Sequence, residues 1–213
     1  MTRAPRPTDD VPIVFIVDDD DEVRESLEAL IRVGGWRPET FASARAFLER
    51  PRTAAPSCLV LDVSLPDLNG LELQARIAGD RTDMPIIFIT GYGDVPMTVK
   101  AMKAGAVEFL TKPFGHDALL SAIGQAIERS RAALAREAAL RSLWDRYETL
   151  SRREQEVMAL VVAGLLNKQI AAELGISETT VKGHRGMVMR KMHADSLADL
   201  VNMAASLGVA RPR

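Results

Sequence analysis

The stretch IVFIVDDDDEV, residues 13–23, decides the fold and points to the functional site. Five apolar residues run directly into four aspartates, Asp18 to Asp21. Continuous apolar runs of this length are typical of strands that are buried on both faces of a parallel sheet. An acid at a helix N-terminus accepts hydrogen bonds from free backbone N–H groups, which accounts for one or two of the aspartates. The surplus predicts a bound cation or a phosphate chemistry.

Four further segments repeat the strand-like pattern. They are WRPETF (36–41, the weakest), CLVL (58–61), PIIFI (85–89) and VEFL (107–110). A helix-like stretch follows each strand, so the first 125 or so residues contain five beta-alpha units. Repeated units of this kind predict an α/β domain with a doubly wound, five-stranded parallel sheet.

The composition bounds the class of protein. The 213 residues suit one large domain or two small ones. No apolar run approaches the roughly 18 residues of a membrane-spanning helix, and MTRAPRPTDD lacks the apolar centre of a secretion signal. Cys58 is the single cysteine, which excludes an intrachain disulfide. We therefore expect a cytoplasmic protein with no membrane partner.

The formal net charge of -2 hides an asymmetry along the chain. Residues 1–116 carry 13 Lys and Arg against 18 Asp and Glu, and residues 117–150 carry five of each. Residues 151–213 carry 9 Lys and Arg against 6 Asp and Glu. An acidic first part joined to a basic last part predicts a different partner for each, with a polyanion bound by the C-terminal part.

The pattern after His116 is helical without strands. Residues 117–150 contain one Gly and no Pro, which is typical of one long helix. Its heptad positions are small or charged in the middle, so a self-pairing coiled coil and a solvated helical spacer both fit. We predict a first domain over 11–127, a helical linker over 128–148 and an all-α domain over 149–210.

The last domain reads as four short helices. Ser151 opens a capping box in SRRE, Gly164 ends that helix, and Ser177 and Ser196 open later ones. In NKQIAAELGISETTVKGHRGMVMRKM, two helices joined at Gly175 predict a helix-turn-helix with its second helix offered to the major groove of DNA. Apolar residues fall where the two helices cross: Ile170, Ala171, Leu174, Ile176, Val181 and Val188. Basic residues that favour phosphates lie along the second helix: Lys182, His184, Arg185, Arg190 and Lys191.

Polar residues stand where the apolar strands of the first domain stop. Asp18 and Asp19 follow the first strand, Asp62 the third, Thr90 the fourth, and Lys112 the fifth. Open parallel sheets bind ligands at the carboxyl ends of their strands. Converging carboxylates repel unless they hold a cation, and oxygen ligands with room for water suit Mg²⁺. The set has the parts of a phosphoryl-transfer site with an aspartate as acceptor.

The motifs VDDDD, LVLDVSLPDLNG, FITGYGDV and FLTKPF together resemble the receiver domain of two-component response regulators. The resemblance implies the flavodoxin-like strand order 2-1-3-4-5, phosphorylation of Asp62 by a histidine kinase, and a cis Lys112–Pro113 bond. The implied Mg²⁺ ligands are Asp19, with Asp18 beside it, Asp62 and the backbone carbonyl of Ser64. The implied phosphoryl contacts are Thr90 and Lys112, and the implied switch aromatic is Phe109.

Residues 150–201 resemble the LuxR-type DNA-binding domain, so the whole chain is similar to response regulators of the FixJ/NarL family, and GDVPMTVKAMKAGAVEFLTKPF favours the FixJ branch. The implied partners are a sensor histidine kinase, double-stranded DNA, RNA polymerase and a second copy of the chain through residues 95–111. The implied contacts to the DNA backbone are Lys168, Thr179 and Thr180. Lys182, Gly183 and Gly186 would face the groove, with His184 and Arg185 close by.

Gly183 and Gly186 depart from that family's pattern, because relatives often carry base-contacting side chains there. Each Gly costs a helix about 1 kcal/mol relative to Ala. Either the helix approaches DNA closely, or direct base reading is weak and falls to Lys182 or Arg185. Two other functions stay open: a constitutive DNA-binding protein with a vestigial receiver, and a phosphohydrolase that also forms an aspartyl phosphate. Haloacid dehalogenase-type hydrolases place a second Asp two residues after the nucleophile, where this chain has Ser64.

Overall fold

The computed structural model describes residues 11–91 and 93–209. The chain divides between Ala135 and Arg136 into two units, which are described separately. In the described part of the first unit, five parallel strands form one sheet in the order β2-β1-β3-β4-β5. The strands are β1 (Ile13–Val17), β2 (Arg37–Phe41), β3 (Ser57–Asp62), β4 (Ile86–Thr90) and β5 (Glu108–Thr111). The predicted α/β class and strand order are confirmed.

Helices cover both faces of this sheet, as a doubly wound fold requires. The helices of the first unit are α1 (Asp21–Val33), α2 (Ala44–Leu48), α3 (Gly70–Ile77), α4 (Val95–Lys103) and α5 (His116–Glu148). Phe47, Leu73 and Ala101 bring α2, α3 and α4 to one apolar cluster. Leu27 and Ile123 bring α1 and α5 to the other. Each large apolar side chain buried in this way contributes about 1.5–3 kcal/mol to folding.

Helix α5 changes character along its length. One face of it is buried as far as Ser130, whose hydroxyl accepts a hydrogen bond from the backbone N–H of Ser57 at 2.9 Å. Residues 131–142 are exposed or half-buried, and Leu143 and Tyr147 pack on the core of the second unit. The linker limits 128–148, the solvated spacer and the coiled coil all remain predictions.

The second unit is built from the end of α5 and short helices around one apolar core. The helices are α6 (Arg152–Val162), α7 (Asn167–Leu174), α8 (Glu178–Met192) and α9 (Leu197–Ser206). Ser151 and Glu154 form the predicted capping box of α6. Ser177 and Ser196 cap α8 and α9, as predicted.

Helices α7 and α8 meet at the predicted turn. Gly175 ends α7 with φ at 65°, a left-handed conformation that favours glycine. Four of the six predicted crossing residues are buried, namely Ile170, Ala171, Val181 and Val188. The other two, Leu174 and Ile176, are half-buried against the same core.

Across the described residues, we find no helix whose length and hydropathy would let it cross a bilayer.

Candidate functional site

The carboxyl edge of the sheet gathers polar side chains from separate strands. Asp18 follows β1, Asp62 ends β3, Thr90 ends β4, and Lys112 follows β5. The Nζ of Lys112 lies 2.7 Å from Asp18 Oδ2 and 2.8 Å from Asp62 Oδ2. One ammonium group therefore joins Lys112 to two carboxylates, one of them 94 positions and the other 50 positions earlier in the chain.

Three carboxylates converge beside this ammonium group. Asp18, Asp19 and Asp62 each offer an oxygen, and these oxygens lie within 4.8 Å of one another. Asp18 is fully buried and Asp62 is 6% exposed, whereas Asp19 is open to solvent. Hard oxygen donors with one side open to water suit a divalent cation such as Mg²⁺, so the residues present fit such an ion.

Burial changes the ionisation of this cluster. Burial raises the pKa of Asp18, although hydrogen bonds from Lys112 and from the backbone of Asp20 act in the opposite direction. Burial also disfavours the charged form of Lys112, but its hydrogen bonds to Asp18 and Asp62 outweigh that effect and raise its pKa. Lys112 therefore stays cationic at neutral pH and offsets the repulsion between the carboxylates.

The remaining acids of the opening stretch have structural roles at α1. Asp20 is the N-cap, and its Oδ1 accepts hydrogen bonds from the backbone N–H groups of Glu22 and Val23. This confirms that one of the aspartates caps the helix. Arg24, which the sequence did not single out, pairs with Asp21 and donates a hydrogen bond to the backbone carbonyl of Asp18 at 2.6 Å.

The loop after Asp62 is held against the site. The backbone N–H of Ser64 donates a hydrogen bond to Asp62 Oδ1 at 3.0 Å. Gly70 opens α3 so close to β3 that a β-carbon there would lie 2.6 Å from the carbonyl oxygen of Asp62. The approach of α3 to the predicted acceptor therefore requires glycine at this position.

The predicted switch residues lie on the neighbouring strands β4 and β5. Thr90 is fully buried at the end of β4. Phe109 on β5 is half-buried, and its ring centroid lies 6.0 Å from that of Phe88. The Lys112–Pro113 bond is cis, as the resemblance implied.

A groove of about 340 Å³ lies beside Lys112, between α1 and the chain that follows β5. Its polar lining includes Asp20, Lys112 and His116. Its apolar lining is formed by Val23, Leu27, Leu30, Pro113 and Phe114. An apolar groove that borders a cluster of charged groups is typical of a binding site.

The predicted DNA contacts lie on α7 and α8. Thr179, Lys182, Gly183 and Gly186 are exposed and stand at positions i, i+3, i+4 and i+7, which puts them on one face of α8. A β-carbon at Gly183 or Gly186 would meet nothing within 4 Å. Of the other predicted contacts, Lys168 and Thr180 are exposed, whereas His184 and Arg185 are half-buried.

Two basic residues in this region make contacts that were not expected from the sequence. Arg185 donates a hydrogen bond to Asn167 Oδ1 at 3.2 Å, which links the middle of α8 to the start of α7. Lys191, expected to favour phosphates, lies 2.6 Å from Glu154 Oε2 and donates to the carbonyl of Thr149 at 3.0 Å. Lys191 therefore joins α8 to the start of α6, and its contact with phosphates stays a prediction.

Comparisons with known proteins agree with this arrangement. The family model described as the response regulator receiver domain matches residues 14–124, and the model described as bacterial regulatory proteins, luxR family, matches residues 148–204. Nodulation protein W of Bradyrhizobium diazoefficiens is 52% identical over 92% of this chain and 87% of that protein. Transcriptional regulatory protein FixJ of Rhizobium meliloti is 45% identical over 92% of this chain and 96% of its own.

Among solved structures, response regulator StyR is similar with a TM-score of 0.79 and 47% identity, over 92% of this chain and 98% of that one. A receiver domain and a LuxR-type domain thus follow one another in this chain, and the likeness to these two relatives extends over 92% of it. The chain belongs to the FixJ/NarL family of response regulators, which are transcription regulators. The family predicted from the sequence is confirmed.

Proposed function

We propose that Asp62 accepts a phosphoryl group from a sensor histidine kinase and that its phosphorylation controls DNA binding. The observation that carries this proposal is the pairing of Lys112 with both Asp18 and Asp62 at the carboxyl edge of the sheet. In the transfer, a carboxylate oxygen of Asp62 forms a bond to phosphorus. The phosphorus–nitrogen bond to the imidazole of the donor breaks. The other groups of the site orient Asp62 and balance charge.

Mg²⁺ would be held by Asp19, with Asp18 beside it, by Asp62 and by the backbone carbonyl of Ser64. The support is the set of carboxylate oxygens within 4.8 Å of one another, which is the donor chemistry that this ion prefers. When bound, the ion neutralises negative charge on the transferring phosphoryl group. Lys112, which donates a hydrogen bond to Asp62 Oδ2, would neutralise part of the same charge.

Phosphorylation of Asp62 would act as the switch. A phosphoryl group adds about 1.5 to 2 negative charges, which attract the hydroxyl of Thr90 and the ammonium of Lys112. Phe109 would follow Thr90 inward, because it lies on the strand next to that of Thr90 and pairs with Phe88, two residues before Thr90. A full switch from 1:99 to 99:1 requires about 5.5 kcal/mol of differential stabilisation.

The output would be DNA binding by α8. Lys168, Thr179 and Thr180 would contact the DNA backbone, while Lys182, Gly183 and Gly186 would face the groove. His184 and Arg185 would lie close by. The support for placing Arg185 there is its hydrogen bond to Asn167 at the start of α7. A dimer formed through 95–111 would raise the effective concentration of the second DNA-binding domain at paired half-sites.

The protein would then be a cytoplasmic regulator rather than an enzyme. Its receiver would span 11–127, its linker 128–148 and its DNA-binding domain 149–210. The groove beside Lys112 offers apolar surface to the kinase next to the acceptor. RNA polymerase would be the partner of the DNA-bound form. A phosphohydrolase that forms an aspartyl phosphate is disfavoured by Ser64, which stands where haloacid dehalogenase-type enzymes carry a second Asp.

Labelling with radioactive acetyl phosphate in Mg²⁺ tests the proposal. We expect the wild type to be labelled, to shift towards a dimer on gel filtration and to bind DNA more tightly, and we expect Asp62→Asn to do none of these. An unlabelled wild type would contradict the proposal. DNA binding that is lost in Lys182→Ala but identical in Asp62→Asn and the labelled wild type would instead support a constitutive DNA-binding protein.

A further inference from the structure

Asp67 joins the loop after the predicted acceptor to a different helix. Its Oδ2 accepts a hydrogen bond from the backbone N–H of Arg45 at 2.9 Å, and its Oδ1 accepts one from Ala44 at 3.3 Å. Asp67 lies in the loop between β3 and α3, five residues after Asp62, whereas Ala44 and Arg45 form the first turn of α2. The loop is thus tied to an element that precedes β3 in the chain.

The first turn of α2 is a firm anchor for this loop. Ala44 and Phe47 are fully buried in the core on that face of the sheet, so α2 cannot shift without repacking it. Ser43 caps the same helix independently, because its hydroxyl accepts a hydrogen bond from Ala46 at 3.2 Å. Helix α2 therefore has one cap from its own chain segment and a second cap from the acceptor loop.

The charge of Asp67 suits this position. Slight burial opposes its ionisation, but hydrogen bonds from the backbone of Arg45 and Ala44 outweigh burial and lower the pKa of Asp67. A carboxylate at a helix N-terminus also gains from the helix dipole. Asp67 is therefore ionised at neutral pH and holds both amides through charge-assisted hydrogen bonds.

The rest of the loop is fixed at its two ends. At one end, the backbone N–H of Ser64 donates to Asp62 Oδ1 at 3.0 Å. At the other, Gly70 donates to the carbonyl of Val63 at 3.0 Å and packs against β3. Between these points, the carboxylate of Asp67 joins the loop to α2 through two hydrogen bonds. Loss of these two hydrogen bonds would let the middle of the loop that carries Ser64 move.

We propose that Asp67 is a positioning residue that, through α2, holds the Ser64 carbonyl and Asp62 in the arrangement that binds Mg²⁺. This inference rests on the proposed function, since it assumes that Ser64 and Asp62 are ligands. Groups behind the direct ligands of a metal orient those ligands, and their loss typically weakens metal binding 10–100-fold. Because Asp67 acts on the loop rather than on a ligand side chain, we expect a loss near the lower limit, about tenfold.

The test is a calorimetric titration of the full-length protein with Mg²⁺, without any phosphoryl donor. Three variants are compared with the wild type: Asp67→Ala, Asp67→Asn and Ser43→Ala. The serine variant is the matched control, because it removes a cap of the same helix and leaves the loop tied to α2. Asp67→Asn keeps an acceptor oxygen without the charge, and urea denaturation of each variant measures the cost to folding.

We expect Asp67→Ala to raise the dissociation constant for Mg²⁺ about tenfold, Asp67→Asn to give an intermediate value, and Ser43→Ala to bind as the wild type does. Equal Mg²⁺ affinity in Asp67→Ala and the wild type would overturn the inference while leaving the proposed function intact. Equal losses in Asp67→Ala and Ser43→Ala would overturn it too, because α2 stability alone would then explain both. A wild type that binds no Mg²⁺ would instead defeat the proposed function itself.

Discussion

The Nζ of Lys112 lies 2.8 Å from Oδ2 of Asp62. The same ammonium group pairs with the fully buried Asp18. We predict that Lys112→Met lowers the free energy of unfolding by about 2 kcal/mol in Mg²⁺-free buffer, because it leaves two carboxylates facing each other. The cost is below that of a fully buried pair because the Lys112 side chain is 24% exposed. Urea denaturation measures it.

Asp18→Asn in combination with Lys112→Met is the control for that prediction. Removing one of the repelling charges should recover most of the lost stability, so the two substitutions should show a coupling of about 1 kcal/mol or more. Strictly additive effects would contradict the account of Lys112 as the counter-charge of this cluster.

Gly70 and Gly124 should respond to alanine in opposite directions. A β-carbon on Gly70 would lie 2.6 Å from the backbone carbonyl of Asp62, so we expect Gly70→Ala to lower stability by about 2 kcal/mol. Gly124 lies within α5 with nothing within 4 Å of such a carbon, and Gly124→Ala should raise stability by up to about 1 kcal/mol. Thermal denaturation of both variants checks the pair. A stable Gly70→Ala would show that β3 and α3 separate easily.

Helix α7 lacks a side-chain cap. Leu166 stands at its N-cap position, is 70% exposed and offers no acceptor, although its own N–H donates to Gln169 Oε1 at 2.8 Å. We predict that Leu166→Ser stabilises the second unit by about 1 kcal/mol, because the hydroxyl can accept from a free backbone N–H. Leu166→Ala is the control and should bring little of this gain. Equal stability of the two variants would contradict the capping argument.

The ion pair between Lys191 and Glu154 predicts a pH dependence. The hydrogen bond from Lys191 lowers the pKa of Glu154 below its ordinary value of 4.5, so the stabilisation is present above that pH and is lost as the pH falls through the folded-state pKa. We predict that the wild type exceeds Glu154→Gln in stability at pH 7 and that this difference vanishes in acid. Trp144 fluorescence in a Trp36→Phe background can follow the second unit. A difference that persists below the folded-state pKa would contradict the assignment.

The sequence predicted most of the fold because burial leaves a readable pattern. Strands β1, β3 and β4 lie inside the sheet and are buried at every position, so they appear as continuous apolar runs. Strand β2 lies at an edge and is only partly buried, and for that reason RPETF gave the weakest signal. Edge strands have one neighbour, which relaxes the demand for apolar residues.

The candidate site was predictable to the same extent. Asp18, Asp62 and Lys112 could be found because each follows an apolar strand whose end lies at a known edge of the sheet. The partners of Asp67, Arg185 and Lys191 could not. Arg45, Asn167 and Glu154 lie 22, 18 and 37 residues away from them, and only the packing of loops and helices brings them together.

The most direct test of the central claim is to locate the phosphoryl group. The protein is phosphorylated with acetyl phosphate in Mg²⁺ and reduced with borohydride, which converts an acyl phosphate of aspartate into homoserine, and its peptides are read by mass spectrometry. We predict homoserine at position 62. Homoserine at Asp18 or Asp19, or at no position, would contradict the account.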